Sequence, residues 1–178
     1  MTTTVLNNKR GLLDTELISN KAVCAVLGVA LFVIATMLGA FVRIPLPFTP
    51  VPLTFQTFFV LLSGAMLGKK YGALSQAAYM GLGMAGIGVF TGGAGLAYLM
   101  GPTGGYIIGF IAAAFLTGWM IRLKETAGLA WIFISMLSGA AVILIAGGLW
   151  LIQILHINPA KAYFIGIMPF IPVDFRTF

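Results

Sequence analysis

The sequence predicts an all-α polytopic membrane protein. Hydrophobic residues make up 60% of the chain and charged residues only 8%, whereas soluble domains contain about 25% charged residues. Residues 71–121 contain no Asp, Glu, Lys or Arg at all. Because a helix that spans a bilayer needs about 20 apolar residues, this stretch alone is long enough for two spans and a connection. The length of 178 residues is that of one domain.

Five complete spans are predicted from the charged and irregular segments that bound them. The first is longer than the apolar part of a secretory signal, so we expect it to be retained. The fifth is long enough to tilt in a bilayer. A sixth apolar stretch, residues 162–171, is too short to cross, and we interpret it as interfacial or re-entrant. The five spans are residues 22–42, 53–68, 72–90, 103–121 and 129–155.

Basic residues predict the orientation of the chain. Seven of them would share one side of the membrane and three the other, and short cytoplasmic loops carry the excess of Lys and Arg. We therefore expect residues 1–20 to be a cytoplasmic segment and residues 21–178 to form one transmembrane domain in the plasma membrane. The seven are Lys9, Arg10, Lys21, Lys69, Lys70, Arg122 and Lys124, and the three are Arg43, Lys161 and Arg176.

Two irregular segments would then lie together on the outer side. Residues 44–52 contain four prolines, which fix φ and lack an N–H donor, so this connection is stiff and extended. Residues 91–105 are rich in glycine. Irregular backbone cannot face lipid with its polar groups unpaired. It must lie at the interface, or be buried against protein or a wet cavity, where a small solute could bind.

Several side chains near these segments are candidates for such a site. Gln56 begins the second span, and its amide could either bind another helix or face a polar ligand. Tyr79 and Tyr98 could be residues of the interfacial aromatic belt or walls of a ligand slot. Arg43 at the end of a span could extend to the headgroups or meet an anion.

Other classes of protein are excluded by what the sequence contains. The net charge of +6 does not indicate nucleic-acid binding, because the basic residues do not cluster on one amphipathic face. Cys24 is the single cysteine, so cysteines cannot build a disulfide framework or metal cluster. The Gly-x-Gly-x-x-Gly at 81–86 lacks the strand and amphipathic helix of a dinucleotide site. No phosphate-binding loop, paired carboxylates or catalytic triad indicates an enzyme.

Glycine and alanine recur at four-residue spacing. Gly64 and Gly68 form one such pair, Gly101, Gly105 and Gly109 another series. This spacing places small residues on one helix face, where two helices can approach closely. We interpret it as a packing signal.

Three ordered motifs resemble those of the BioY family. Residues 50–57 read Pro-Val-Pro-Leu-Thr-Phe-Gln-Thr, which is similar to the family's Pro-x-Pro-x-Thr-x-Gln-Thr signature. Residues 89–93 and 101–110 resemble its central Gly-rich motifs. Residues 168–174, Met-Pro-Phe-Ile-Pro-Val-Asp, resemble its Pro-Phe-x-Pro-Gly-Asp segment. The resemblance covers residues 20–174.

The resemblance implies a function in vitamin uptake. BioY proteins are the biotin-specific substrate-binding (S) components of energy-coupling-factor (ECF) transporters. The resemblance implies a six-helix bundle, with biotin bound near the outer face. It also implies a partner module of one transmembrane coupling subunit and two ATPases. Biotin would be the transported substrate, and no cofactor is expected.

The last residues depart from the family pattern. Val173 stands where the family usually has Gly, Thr177 where it has Lys, and Phe178 is the last residue. We therefore expect five complete spans, with the sixth helix missing or truncated. An accessory or non-functional truncated membrane protein without its own ligand is the alternative to a biotin-binding subunit.

The chemistry of biotin assigns roles to the candidate residues within this resemblance. Asp174 would accept hydrogen bonds from the ureido N–H groups. Gly-rich backbone near residues 91–95 and 103–105 would donate to the ureido oxygen, since glycine permits close approach. The rings of Tyr79, Phe90 and Tyr98 would form an apolar slot. Either Arg43 or Arg176 would bind the carboxylate of biotin. The candidate residues are Arg43, Gln56, Tyr79, Phe90, Thr91, Gly92, Gly93, Tyr98, Thr103, Gly104, Gly105, Asp174 and Arg176.

Overall fold

A computed structural model describes residues 21–124 and 126–170 as a helical bundle. By length and composition, three helices of this part, α1, α4 and α5, could cross a membrane. The expected all-helical fold is confirmed. The helices are α1 (Lys21–Phe41), α2 (Gln56–Met84), α3 (Leu96–Leu99), α4 (Gly104–Arg122), α5 (Leu129–Leu155) and α6 (Pro159–Gly166). Two short strands, β1 (Arg43–Ile44) and β2 (Leu53–Thr54), and a 3₁₀ turn (Met168–Phe170) complete the described elements.

The long helix α2 is a hairpin of two arms. Gly68 interrupts it with φ 78° and ψ 178°, in a region that favours glycine. The Gln56 amide nitrogen lies 2.6 Å from the Tyr79 hydroxyl oxygen, although 23 residues of straight helix would separate them by about 35 Å. The chain therefore reverses at Gly68, so that residues 56–67 form a first arm and residues 69–84 a second.

The two arms correspond to the second and third predicted spans. The second arm ends at Met84, not at residue 90 as predicted. The backbone leaves the helix at Ala85, and Gly86 follows with φ 91°. Residues 85–95 are consequently a loop, which returns the chain toward the cavity described below.

Small residues let the helices of the bundle approach closely. A Cβ atom added to Gly64 would collide with the backbone carbonyl of Ala114 in α4. One added to Gly118 would lie 2.6 Å from the Gly64 carbonyl oxygen. The spacing of small residues thus marks the contact between α2 and α4, as the packing interpretation predicted.

A polar cluster joins α1 to both arms of α2. The Gln76 amide nitrogen donates to the hydroxyls of Ser63 and Ser75, each at 3.1 Å. Thr36 of α1 lies 3.4 Å from the same amide and donates to the Phe32 carbonyl at 2.8 Å. Burial of a polar group is costly unless it has a partner, so these bonds fix the relative positions of the three helical segments.

The irregular segments meet at the end of the bundle opposite Gly68. Here β1 and β2 pair in an antiparallel ladder, with Arg43 opposite Thr54, and enclose the Pro-rich segment. The loop 85–95, α3 and the start of α4 lie at the same end. Convergence of the Pro-rich and Gly-rich segments was expected.

The described part of the last apolar stretch, residues 162–170, packs against the bundle. It contributes the end of α6 and the 3₁₀ turn, and the Tyr106 hydroxyl of α4 donates to the Gly166 carbonyl at 2.6 Å. Ala162 is 2% exposed. The residues on which the expectation of a missing sixth helix depends lie outside the described part of the chain.

Substitution of Gly64 tests the contact between α2 and α4. Gly64→Ala should lower the free energy of unfolding by about 1–3 kcal/mol, because the added methyl overpacks a backbone contact. Gly81→Ala is the matched control, since a Cβ there meets nothing within 4 Å. Thermal unfolding in detergent measures both. Equal midpoints for the two variants would contradict this packing.

Candidate functional site

A cavity of about 200 Å³ lies where the irregular segments meet the bundle. One side of it is polar and the remainder apolar. The polar lining consists of Thr54, Gln56, Thr57, Thr91 and Thr103. The aromatic lining consists of Tyr98, Tyr106, Phe110 and Phe170, and the aliphatic lining of Val51, Pro52, Leu53, Ile107, Ala140, Ile143 and Leu144.

Two helices supply the apolar side in regular spacing. The apolar lining residues of α4 are at positions 106, 107 and 110, and those of α5 at 140, 143 and 144. Positions three and four apart lie on one face of a helix. Each helix therefore presents one continuous face to the cavity. Phe170 of the 3₁₀ turn adds to this wall, 5.8 Å from Tyr106 between ring centres.

Gln56 is the centre of the polar wall. Its side-chain oxygen accepts from the hydroxyls of Thr54 at 3.2 Å and Thr91 at 2.9 Å. Its amide nitrogen donates to Tyr79, which in turn donates to the Val89 carbonyl at 2.9 Å. Gln56 therefore bridges the two arms of α2 and also lines the cavity, while its contact with a ligand stays a prediction.

Thr91 ties the Gly-rich loop to three other elements. Its hydroxyl binds Gln56 of α2. Its carbonyl oxygen accepts from the Tyr98 hydroxyl of α3 at 3.1 Å and from the Arg43 guanidinium of β1 at 3.4 Å. The loop is consequently held on several sides where it closes the cavity.

A wider recess of about 600 Å³ lies beside the cavity. The residues that line both are Pro52, Thr91, Tyr98 and Thr103, so the recess adjoins the cavity. Prolines of the 44–52 segment form one of its walls, and Arg43 is the cation that lines it among the described residues. The site therefore combines a mouth that carries a cation with a less open cavity beside it.

The predicted aromatic residues form layers. Tyr98 lines the cavity, and Phe90 stacks behind it with ring centres 5.1 Å apart. Tyr79 meets Phe90 edge-on at 5.6 Å. Tyr79 and Phe90 are 0% and 2% exposed, and neither lines the cavity. They support the wall and do not form its surface.

The predicted glycines lie beside the cavity and do not line it. The Gly92 N–H donates to the Phe90 carbonyl at 2.7 Å, and the Gly104 N–H to the Gly101 carbonyl at 3.1 Å. These two N–H groups are therefore engaged within their own segments. Gly93 packs against the Tyr98 ring, and Gly105 against Trp150 of α5.

Asp174 and Arg176 lie outside the described residues. Of the other candidates, Gln56, Thr91, Tyr98 and Thr103 are brought together around the cavity, and Arg43 lies at its mouth.

Several lining residues were not among the candidates. Those of α4 and α5 carry a signal in the sequence, namely the helical spacing within two apolar spans. Thr54 and Thr57 are part of the signature at 50–57. Phe170 belongs to the motif at 168–174, and it reaches the cavity because the 3₁₀ turn packs against α4.

Comparison with known proteins shows the family to which this chain belongs. The model of the BioY family matches residues 10–177. This chain belongs to the BioY family. It is 44% identical over 147 residues to the probable biotin transporter BioY of Pyrococcus horikoshii, a match that covers 82% of this chain and 84% of the relative. It is 42% identical over 147 residues to the biotin transporter BioY of Thermotoga maritima, covering 81% and 83%.

A solved structure supports the BioY assignment at the level of the fold. The crystal structure of the S-component for biotin from an ECF-type ABC transporter superposes with a TM-score of 0.75 and 29% sequence identity. The match covers 83% of this chain and 82% of that one. Together with its apolar helices, this places the present BioY chain among membrane transport proteins and not among enzymes.

Substitution of Gly105 tests the wall formed by α4 and α5. Gly105→Val, like Gly104→Val, should impair folding, because a side chain there collides with Trp150 or with the Leu99 carbonyl. Gly128→Val is the control, since Gly128 has φ −66° and ψ 164° and open space around it. Yield and monodispersity in detergent are the measurements. Normal yield of both α4 variants would contradict close packing at this wall.

Proposed function

We propose that this protein is the biotin-binding subunit of an ECF-type importer, which captures biotin at the outer face for ATP-driven uptake by its partners. The observation that carries the proposal is the cavity, in which a Thr–Gln–Thr wall faces an apolar aromatic wall. The named relatives and the matching S-component support biotin as the ligand.

The parts of biotin fit different parts of this site. The ureido group has N–H donors, which suit the acceptor oxygens of the polar wall around Gln56. The sulfur-containing ring is apolar and suits the face formed by Ile107, Phe110 and Ile143. Biotin would then lie with its ring system inside and its valerate chain directed to the recess.

An arginine at the mouth would bind the carboxylate. Arg43 lines the recess and is already held against the Thr91 carbonyl. This position supports Arg43 as the residue that binds the biotin carboxylate, and Arg176 is the alternative. Asp174 is proposed as an acceptor for the ureido group, and its position four residues after Phe170, which lines the cavity, supports this role.

Orientation and partners follow from the two ends of the bundle. Lys69, Lys70 and Arg122 lie at the Gly68 end, opposite the cavity. We propose that this end is cytoplasmic together with residues 1–20, and that the cavity opens to the outside of the plasma membrane. The match to an ECF S-component supports a coupling subunit and two ATPases as partners.

Filling the cavity tests the proposed function directly. Purified protein should bind tritiated biotin, and Ala140→Phe should weaken binding at least about tenfold, which is about 1.4 kcal/mol, because the added ring occupies the ligand's space. Ala141→Phe is the matched control, since Ala141 neighbours Ala140 on α5 but is exposed on the outside of the bundle. No binding by the parent protein would favour the ligand-free alternative. Equal binding by all three proteins would place biotin elsewhere.

Removal of the Asp174 carboxylate tests its proposed contact. Asp174→Ala should weaken biotin binding by about 1–3 kcal/mol, because ureido donors would lose their acceptor on binding. Equilibrium binding to the purified variant is the measurement, with Asp174→Asn to separate charge from hydrogen bonding. Binding within twofold of the parent would remove Asp174 from the site.

A further inference from the structure

A chain of hydrogen bonds with a fixed direction runs from a loop backbone to the cavity wall. The Val89 carbonyl can only accept, so the Tyr79 hydroxyl, 2.9 Å away, donates its single proton to it. The Tyr79 oxygen must then accept from Gln56, which places the amide nitrogen toward Tyr79 at 2.6 Å. The side-chain oxygen of Gln56 consequently faces Thr54 and Thr91.

The direction of these hydrogen bonds determines which groups Thr54 and Thr91 offer to a ligand. The Thr54 and Thr91 hydroxyls both donate to the Gln56 oxygen, at 3.2 Å and 2.9 Å. A hydroxyl has one proton and two lone pairs. The capacity that remains on each threonine oxygen is that of an acceptor, and both residues line the cavity. These two threonine oxygens therefore favour ligands that present N–H donors.

Burial fixes the direction in which these hydrogen bonds donate. Tyr79, Val89 and Gln56 are 0%, 2% and 5% exposed. A flipped Gln56 amide would place its oxygen against the Tyr79 oxygen, whose proton is already given to Val89. Two acceptors would then face each other without water, which is costly.

We infer that Tyr79 is a positioning residue, which makes the Thr54–Gln56–Thr91 wall select ligands with N–H donors, although Tyr79 does not line the cavity. This inference rests on the proposed function, in which the donors are the ureido N–H groups of biotin. A cyclic urea is the chemical class that such a wall selects.

The test compares two ligands in purified protein. Tyr79→Phe removes the hydroxyl and keeps the ring that packs on Phe90. Equilibrium dissociation constants are measured for biotin and for biotin methylated on one ureido nitrogen. Biotin binding should weaken about tenfold, equivalent to about 1.4 kcal/mol, because the Gln56 amide loses its fixed orientation. The methylated analogue should weaken less, so that the ratio between the two constants contracts.

Matched variants separate positioning from general damage. Tyr71→Phe makes the same change in the second arm of α2 at a residue that is 41% exposed, and should leave both constants unchanged. Thr91→Val removes one wall hydroxyl and should contract the ratio as Tyr79→Phe does. Thr91→Ser keeps the hydroxyl, so the ratio of the two dissociation constants should equal that of the parent protein.

Each other outcome overturns the inference. Biotin binding by Tyr79→Phe within twofold of the parent would show that the hydroxyl does not position the wall. Loss of affinity by the same factor for both ligands would indicate a structural role alone. If Tyr79→Phe does not fold, an unchanged ratio in Thr91→Val overturns the inference. A parent protein that binds neither ligand overturns the proposed function and this inference with it.

Discussion

The reversal of the chain at Gly68 is the constraint on which the site depends. Only because the two arms of α2 run back along one another does Gln56 meet Tyr79. Gly68 adopts φ 78°, a conformation that a side chain with Cβ rarely takes. The Arg122 guanidinium lies over this turn, 2.5 Å from where a Cβ would lie, but the positive φ is what requires glycine there. A local requirement at one end of the bundle thus fixes a hydrogen bond at the other.

The buried polar side chains form two hydrogen-bonded clusters. One cluster around Gln76 is closed on itself between α1 and α2, and its members have no exposure. The second, around Gln56, is open on one side to the cavity. Among the described residues, no buried side-chain nitrogen or oxygen lacks a partner. The two clusters therefore differ in whether a ligand can reach them. The Gln76 cluster only holds helices together, whereas the Gln56 cluster can also serve as a binding surface.

Features that depend on local sequence could be predicted. The spans follow from apolar length, and the packing role of Gly64 follows from small-residue spacing. The meeting of the Pro-rich and Gly-rich segments follows from the number of crossings. Gln56 could be identified as important, but its two roles could not be separated, since both need only an amide at the start of a helix.

The remaining features depend on contacts between residues far apart in sequence. Tyr79 and Phe90 could be assigned to an aromatic slot but not to its second layer, because depth behind a wall is set by how the 85–95 loop folds. The glycines near 92 and 104 look like donors in sequence, yet their N–H groups are used by neighbouring carbonyls. Phe170 reaches the cavity because the 3₁₀ turn packs against Tyr106 of α4. Spacing along the chain contains none of this information.

The way in which the cavity is closed follows from the stiffness of its covers. The Pro-rich segment has few N–H groups and little conformational freedom, and the β1–β2 pair joins its two ends. The Gly-rich loop is flexible by composition, but Thr91 fixes it through Gln56, Tyr98 and Arg43. Of these bonds, the one from Arg43 is exposed and the longest at 3.4 Å. Arg43 belongs to the strand that begins the Pro-rich segment, so the weakest of the three bonds that hold the loop is the one that joins it to the start of that segment.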